Sequence, residues 1–584
     1  MHESDGTAVS VEIPVFDREF FTGKESFTRI GHGQIGGKAQ GLAAIHSELG
    51  RHALYSDFPG ITVEIPRLSV ITTQHFDSFM AQNDLYDVAL SGDVDERIVH
   101  HFLAADLPAD LTGDLWALIA KVHTPLAVRS SSLLEDSLNT PFAGIYETKM
   151  IANNEHDAES RFHKLVEAIK FVYASTFFKQ AKAYARATGH RIEEEKMAVI
   201  LQEVVGLKHG QRFYPNISGV GRSYNYYPTG KAQPQEGVVD LALGLGKTIV
   251  DGGRCWNYSP AHPRVNPPFN SMTDLLKQSQ TTFWAVNMGT PEKHNPFSEA
   301  EYLAEYNLSD AEYDNVLSSL ASTFDPSSSR LTVGTGRSGP RVLTFAPILH
   351  LSVFPLNQLI KTLLPICESS AGGQVEIEFA VTIDHLNRQP ARFSLLQVRR
   401  MAAVYEPVVL DEARLDSPEL LMKTRRVLGN GTSNGIYDIV YLNPESFDFS
   451  QSEKVVPVLE RLNQQLSDSG RPYLLLGFGR WGSSDPWLGV PVKWPQISGA
   501  KVIVEAEHAQ RPVDFSQGSH FFHNVSNMQI MYLSIPNMAP AMLDWEWLKA
   551  QPVVAENHHV RHVRLTKPLS ATVSLMQGWG VVSR

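Results

Sequence analysis

Apolar positions change period several times along the chain, and each change marks an element. Residues Gly33 to Leu49 pass from a glycine cluster into an Ala/Leu/Ile pattern, which predicts a loop opening into a short helix. Leu68 to Thr73 reads as a buried strand and Gln74 to Met80 as helical. Pro125 to Val128 predicts a strand that delivers Arg129 into a loop of three serines. From Phe162 the apolar positions Leu165, Ile169, Val172 or Tyr173, Phe177, Ala181 and Tyr184 keep helical spacing for roughly seven turns of about 3.6 residues, with Gly189 placed to cap them. Met197 to Val205 is a mostly apolar strand-type run, and Gly206 to Gly210 breaks it.

Further on, Gly219 to Gly253 is punctuated by glycine. Val265 to Phe297 is rich in Pro, Asn, Ser and Thr, which predicts long surface connections. Val375 to Ile383 and Phe393 to Val398 flank a polar turn at Asp384 to Arg388, as in a hairpin. Lys454 to Leu466 has an amphipathic helix pattern, and Tyr473 to Leu476 and Lys501 to Val504 read as strands. Strands thus mix with helices throughout, and the expected fold class is α/β (α+β). The divisions expected are an N-terminal extension over 1–29, a first lobe over 30–205, a second over 206–405, and a smaller C-terminal α/β domain over 406–584.

The 584 residues suffice for three or four domains at about 150 residues each. Apolar residues make up 43% and charged residues 20%, which excludes a disordered or fibrous chain. Acidic residues number 63 against 51 Lys and Arg, so the net charge of -12 gives no overall pull toward nucleic acid or anionic lipid, and neither is expected as a partner. Two distant cysteines, Cys255 and Cys367, support neither a disulfide framework nor a thiolate zinc site. A reducing, cytoplasmic setting is expected, since Glu3, Asp5 and Glu12 stand where a secretory signal needs a basic and then an apolar stretch. The most apolar region, Phe345 to Ile366, contains His350, Pro355, Asn357 and Lys361 and reads as core rather than as a membrane span.

Two glycine signatures look like nucleotide loops and are discounted. Gly477-Phe478-Gly479-Arg480-Trp481-Gly482 has dinucleotide spacing, but Pro486, Gly489 and Pro491 follow where the pyrophosphate-binding helix must begin. Gly246-Lys247-Thr248 ends like a Walker loop, yet its required first glycine falls at Leu241. Other residues form a more coherent set. Gly36-Gly37-Lys38 puts backbone N–H groups and one ammonium at a helix head, a surface suited to polyphosphate. Arg129, followed by Ser130, Ser131 and Ser132, adds a guanidinium and hydroxyls for phosphate oxygens, although a surface arginine beside a capping serine has the same pattern. Glu376 and Glu378 share one face of a strand, a pair that suits magnesium or simply a solvated surface. Gln397 and Arg399 repeat that geometry on what would be the neighbouring strand.

Together these residues resemble the nucleotide-binding domain of the pyruvate phosphate dikinase and phosphoenolpyruvate synthase family, which has a two-lobed ATP-grasp fold. The resemblance runs in order through Gly36 to Leu42, Ile65 to Phe76, Ala127 to Ser131 with Glu135-Asp136, and Phe142 to Thr148. It continues through the helix with Ala168 and Tyr184, Gln202 to Val205, Gly244 to Gly246 and the closing strands, about residues 30 to 402. It implies ATP and Mg²⁺ as cofactors. Lys38 and Arg129 would be phosphate ligands, with Gly36, Gly37 and Ser130 beside them, and adenine would lie against Gln202, Glu203 and Val204. Glu378 and Gln397 would hold magnesium with Glu376 in support, and Arg399 would stabilise the phosphoryl group in flight. Lys38, Arg129 and Arg399 are thus the expected catalytic residues.

The chain departs from the family at Glu376, where Asp is usual, and at Arg400, where proline is usual. It also lacks the Gly-Gly-x-Thr/Ser-x-His segment of the family's mobile domain and the phosphoenolpyruvate-binding barrel. The expected activity is therefore Mg²⁺-dependent phosphotransfer from ATP to a histidine in cis, to a separate protein or to a small molecule. The rival is a non-catalytic ATP-sensing or scaffolding protein with a C-terminal interaction domain. His520 and His523, around Phe521-Phe522, offer either a phosphate acceptor or hydrogen-bonded core histidines. His558, His559 and His562 have the helical spacing of a metal site but little acidic company.

Overall fold

The computed structural model describes residues 13–52, 54–135, 144–267, 269, 271–291, 295–384, 389–401, 408–508, 519–527 and 530–584. The acidic N-terminal residues up to 12, Asp136, Phe142-Ala143, the centre of the turn at 385–388, the boundary at 405 and Gln517-Gly518 all lie outside these residues.

Two sheets organise the first two-thirds of the chain. A five-stranded sheet has the order Phe27–Ile30, Leu68–Ile71, Met197–Glu203, Leu126–Ser132, Thr148–Ile151. A six-stranded sheet runs Trp256–Tyr258, Val238–Ala242, Ile217–Arg222, Val375–Thr382, Ala391–Arg400, Ile61–Glu64. The chain interleaves them. Ile61–Glu64, within the range expected for the first lobe, pairs in parallel with Ala391–Arg400 of the second. Phe27–Ile30, which straddles the end of the N-terminal extension expected over 1–29, is an integral strand paired with Leu68–Ile71. The helix Gly36–Arg51 packs on Leu126–Ser132 of one sheet and Ala391–Arg400 of the other, burying Ala39, Leu42, Ala43 and Ile45. It thereby spans the junction between the two sheets.

Three local expectations are corrected. The long helix is two helices, Ala158–Ser175 and Lys179–Thr188, because the chain turns at 176–178 while Phe177 stays on the core side. Apolar spacing survives such a turn, so periodicity alone does not reveal it. The cap at Gly189 is left-handed, φ +74°. Arg129 and the three serines continue the strand to Ser132, since all four keep their ladder partners on Met197–Glu203. The stretch from Val265 to Phe297 contains a helix, Met272–Gln278, capped by Ser271, and a strand, Thr282–Asn287.

Beyond residue 408 a further sheet runs from Arg426–Leu428 through Met531–Ile535, Ala500–Ala506, Tyr473–Phe478, Gly431–Leu442 and Val560–Ser574 to Trp579–Ser583, Leu420–Thr424 and Met542–Leu543. Its neighbours from Gly431–Leu442 to Met531–Ile535 are parallel, which explains their nearly unbroken apolar runs. The helix Ser452–Asp468 makes the crossover between two of them. This unit docks on the rest through Arg480, which donates to Gly252 O at 3.1 Å and Gly253 O at 3.2 Å, and through Ser483 Oγ to Gly252 O at 3.0 Å. The glycine-rich stretch from Gly477 to Gly482 is therefore a strand end and a docking turn. Among the described residues no helix is long and apolar enough to cross a membrane.

Candidate active site

A cavity of about 340 Å³ is lined from the five-stranded sheet, the six-stranded sheet and the C-terminal unit. Lys38, Arg129, Gln202, Glu203, Val204, Glu378 and Gln397 all face it.

Lys38 sits in the first turn of Gly36–Arg51. Gly36 has φ +75°, and a Cβ there would fall 1.7 Å from the Ser131 carbonyl oxygen, so only glycine lets the helix head meet that strand. Lys38 Nζ lies 2.7 Å from Glu135 Oε1 and donates to Ser130 Oγ at 3.2 Å. Ser130 in turn donates to Glu135 at 2.9 Å, as does the Ser132 N–H. Ser130 thus faces the Lys38–Glu135 pair, and Gly36 and Gly37 shape the helix head; none of the three lines the cavity.

Arg129 spreads its guanidinium across both sheets. Nη1 donates to Gln202 Oε1 at 3.0 Å and Leu396 O at 2.8 Å, and Nη2 to Gln397 Oε1 at 2.8 Å. Its Nη2 is 3.8 Å from Glu378 Oε2. Glu378 and Gln397 are directly opposed in the ladder of Val375–Thr382 with Ala391–Arg400, and a bulge follows Glu378. Burial alone would raise the Glu378 carboxyl, but His520, Arg399 and Arg129 beside it outweigh that and hold it well below the usual carboxylate range. An ionised carboxylate and an amide oxygen side by side are hard donors that fit Mg²⁺, which keeps water and phosphate oxygens for its other positions. Among the described residues no group of three or more His, Cys, Asp or Glu forms a metal cage.

Glu376 is placed differently from a metal ligand. It is fully enclosed, paired with Arg222 through one oxygen and Arg399 through the other, and does not line the cavity. A carboxylate sealed between two guanidiniums supports those arginines. Arg399 is also off the cavity wall: Nε donates to Glu376 Oε1 at 2.6 Å and Nη2 to Glu378 Oε1 at 3.3 Å. One carboxylate separates it from the open space.

Five charged residues on the wall, Glu147, Lys247, Asp251, Glu299 and Lys493, were not singled out as site residues from sequence. Lys247, in the rejected Walker-like stretch, begins the short helix Lys247–Val250 and lies 2.9 Å from Asp251 and 3.5 Å from Glu299. Burial pushes Glu299 up to about 7, against the pull of Lys247. Glu147 and Lys493 complete this end. Only the family-like segments Phe142 to Thr148 and Gly244 to Gly246 pointed near it. His520 also faces the cavity, its Nε2 3.9 Å from Glu378 Oε1, which corrects the reading of it as a core histidine. The His523 side chain lies outside the described residues. His562 is on the strand Val560–Ser574, 2.7 Å from Asp438, so the helical metal spacing of His558, His559 and His562 does not arise.

Two sheets closing on a charged cleft, with a lysine on a helix head and a glutamate–glutamine pair on opposed strands, define the ATP-grasp class of nucleotide-binding proteins. The chain belongs to the pyruvate phosphate dikinase, AMP/ATP-binding domain family, whose model matches residues 32–414. Among curated proteins it is 27% identical over 188 residues to the uncharacterized phosphotransferase YvkC of Bacillus subtilis, covering 32% of this chain and 20% of that protein. It is 27% identical over 225 residues to the prodigiosin synthesizing transferase PigC of Serratia marcescens, covering 38% and 21%. It is 27% identical over 210 residues to the rifampicin phosphotransferase of Streptomyces sviceus, covering 32% and 22%. The matches thus span about a fifth of each relative's length.

Proposed function

We propose that the chain is a Mg²⁺-dependent phosphotransferase that takes its phosphoryl group from ATP. One observation carries the reading: Lys38, Arg129, Gln202, Glu378 and Gln397 line one cavity. Adenine lies against Gln202 to Val204, and Lys38 and Arg129 meet the phosphate oxygens. Glu378 and Gln397 hold Mg²⁺, which when bound draws charge from those oxygens. Arg399, held by Glu376 one carboxylate behind the wall, acts on the group in flight through its charge across Glu378. The acceptor forms a bond to phosphorus as the bond to the nucleotide breaks, with the electron pair leaving on the nucleotide. Such transfer asks mainly for positioning and cations, which this wall supplies.

The acceptor is a histidine in cis or in trans, or a small molecule. The Streptomyces relative's name, rifampicin phosphotransferase, supports the last. The setting proposed is cytoplasmic, with lobes over 30–205 and 206–405 that exchange the strand Ile61–Glu64, the first also taking in Phe27–Ile30, and a third unit over 406–584. Incubation with Mg²⁺ and ATP labelled separately at the β and γ phosphates tests the reading. The expected outcome is Mg²⁺-dependent breakdown with label on phosphate or as an acid-labile protein adduct; intact ATP would contradict transfer. The second reading, an ATP sensor or scaffold, is favoured by the enclosure of Arg399 between two glutamates.

A further inference from the structure

Glu378 is surrounded unevenly. Arg399 stands behind it at 3.3 Å and Arg129 beside it at 3.8 Å, both on the sheets that carry the cavity wall. The third neighbour, His520 at 3.9 Å, comes from the C-terminal unit, beyond the family match, and lines the cavity with Arg129, whereas Arg399 does not. Its helix, His520–Asn527, is firmly seated. Ser519 Oγ accepts from the Phe522 N–H at 3.2 Å. The Phe522 ring lies 5.3 Å from the Arg222 guanidinium and meets Tyr226 and Tyr227 edge-on, each at 5.8 Å. The imidazole itself rests on Gly144, where φ is +66° and a Cβ would fall 2.4 Å from His520 Nδ1.

We infer that His520 is a positioning residue for phosphoryl transfer, through which the C-terminal unit holds the Glu378 carboxylate toward the cavity. Without it, the nearest partner left to Glu378 Oε1 is Arg399, which stands off the cavity wall. The carboxylate then turns toward Arg399 and away from the space a metal must share with phosphate. Partners that orient a metal-binding carboxylate typically contribute about 10- to 100-fold in metal affinity. The inference rests on the reading that Glu378 binds Mg²⁺.

Mn²⁺ binding to the full chain, followed by electron paramagnetic resonance with saturating β,γ-imido-ATP, tests it without turnover. In His520→Ala the Mn²⁺ affinity should fall about tenfold. His520→Gln, whose amide nitrogen reaches the Nε2 position, should recover most of the loss. Gly144→Ala, which pushes the ring aside but keeps it, should reproduce the Ala defect, and it decides the matter if His520→Ala fails to fold. Any loss of nucleotide affinity without metal should be smaller than the loss of Mn²⁺ affinity in all three. Wild-type Mn²⁺ affinity in His520→Ala, or in a folded Gly144→Ala, overturns the inference. No Mn²⁺ binding by the wild type overturns the metal reading itself, and the inference with it.

Discussion

Lys38 and Glu135 form an ion pair at 2.7 Å with both side chains nearly sealed from solvent, 9% and 0% exposed. The pair is tied to the strand Leu126–Ser132 by Ser130 and the Ser132 N–H. Lys38 is therefore aimed by a fixed partner rather than free to search. Removing one partner of a buried pair strands the other, so Glu135→Ala should lower unfolding free energy by about 3–5 kcal/mol in a denaturant titration. It should also weaken ATP binding by calorimetry. A change below about 1 kcal/mol would mean that water replaces the carboxylate.

Arg129 uses the geometry of its fork, not only its charge, to join Gln202, Leu396 and Gln397. A lysine cannot reproduce those directions. Arg129→Lys should weaken ATP binding by about tenfold, equivalent to about 1.4 kcal/mol, in titration calorimetry. Equal affinity would assign Arg129 a role by charge alone.

Arg399→Ala separates transfer from binding. Loss of a group that stabilises transition-state charge costs about 10²–10³ in turnover. ATP breakdown should fall by that much while binding weakens but stays measurable. Unchanged turnover would remove Arg399 from catalysis.

The C-terminal unit carries its own pH signature. Burial pushes the Glu505 carboxyl up to about 7, despite hydrogen bonds from Tyr532 and from the Trp481 N–H at 3.0 Å. Its folded value exceeds the unfolded one, so its contribution is fully present below the ordinary value of 4.5 and is lost as pH rises through about 7. Glu505 should contribute about 3 kcal/mol to the decline of denaturant stability across that window, and Glu505→Gln should make the decline shallower by about that amount. Identical slopes in the two proteins would contradict the assignment.

Much of this arrangement was readable in the chain because its signals are local. Glu376 and Glu378 share a strand face through a two-residue repeat, and Gln397 and Arg399 mirror them across the turn. Lys38 follows a glycine pair at a helix head. What spacing could not show is assembly over long range. Arg222, which pairs with Glu376, is an ordinary strand residue in sequence. His520 reaches Glu378 only because its helix docks on Tyr226, Tyr227 and Arg222, contacts between positions about three hundred residues apart. Lys247 was dismissed with the Walker spacing, which tests one loop geometry and says nothing of a lysine brought to the same cavity by another route.

The proposed function requires residues at both ends of the family-matched region to embrace one ATP and its metal. Titration calorimetry with Mg²⁺ and β,γ-imido-ATP tests it on the wild type, Lys38→Met and Glu378→Gln. One site per chain is expected, with affinity reduced at least about tenfold in each variant and the Glu378→Gln loss confined to the presence of Mg²⁺. Wild-type protein that gives no binding heat, or variants that bind as the wild type does, would contradict it.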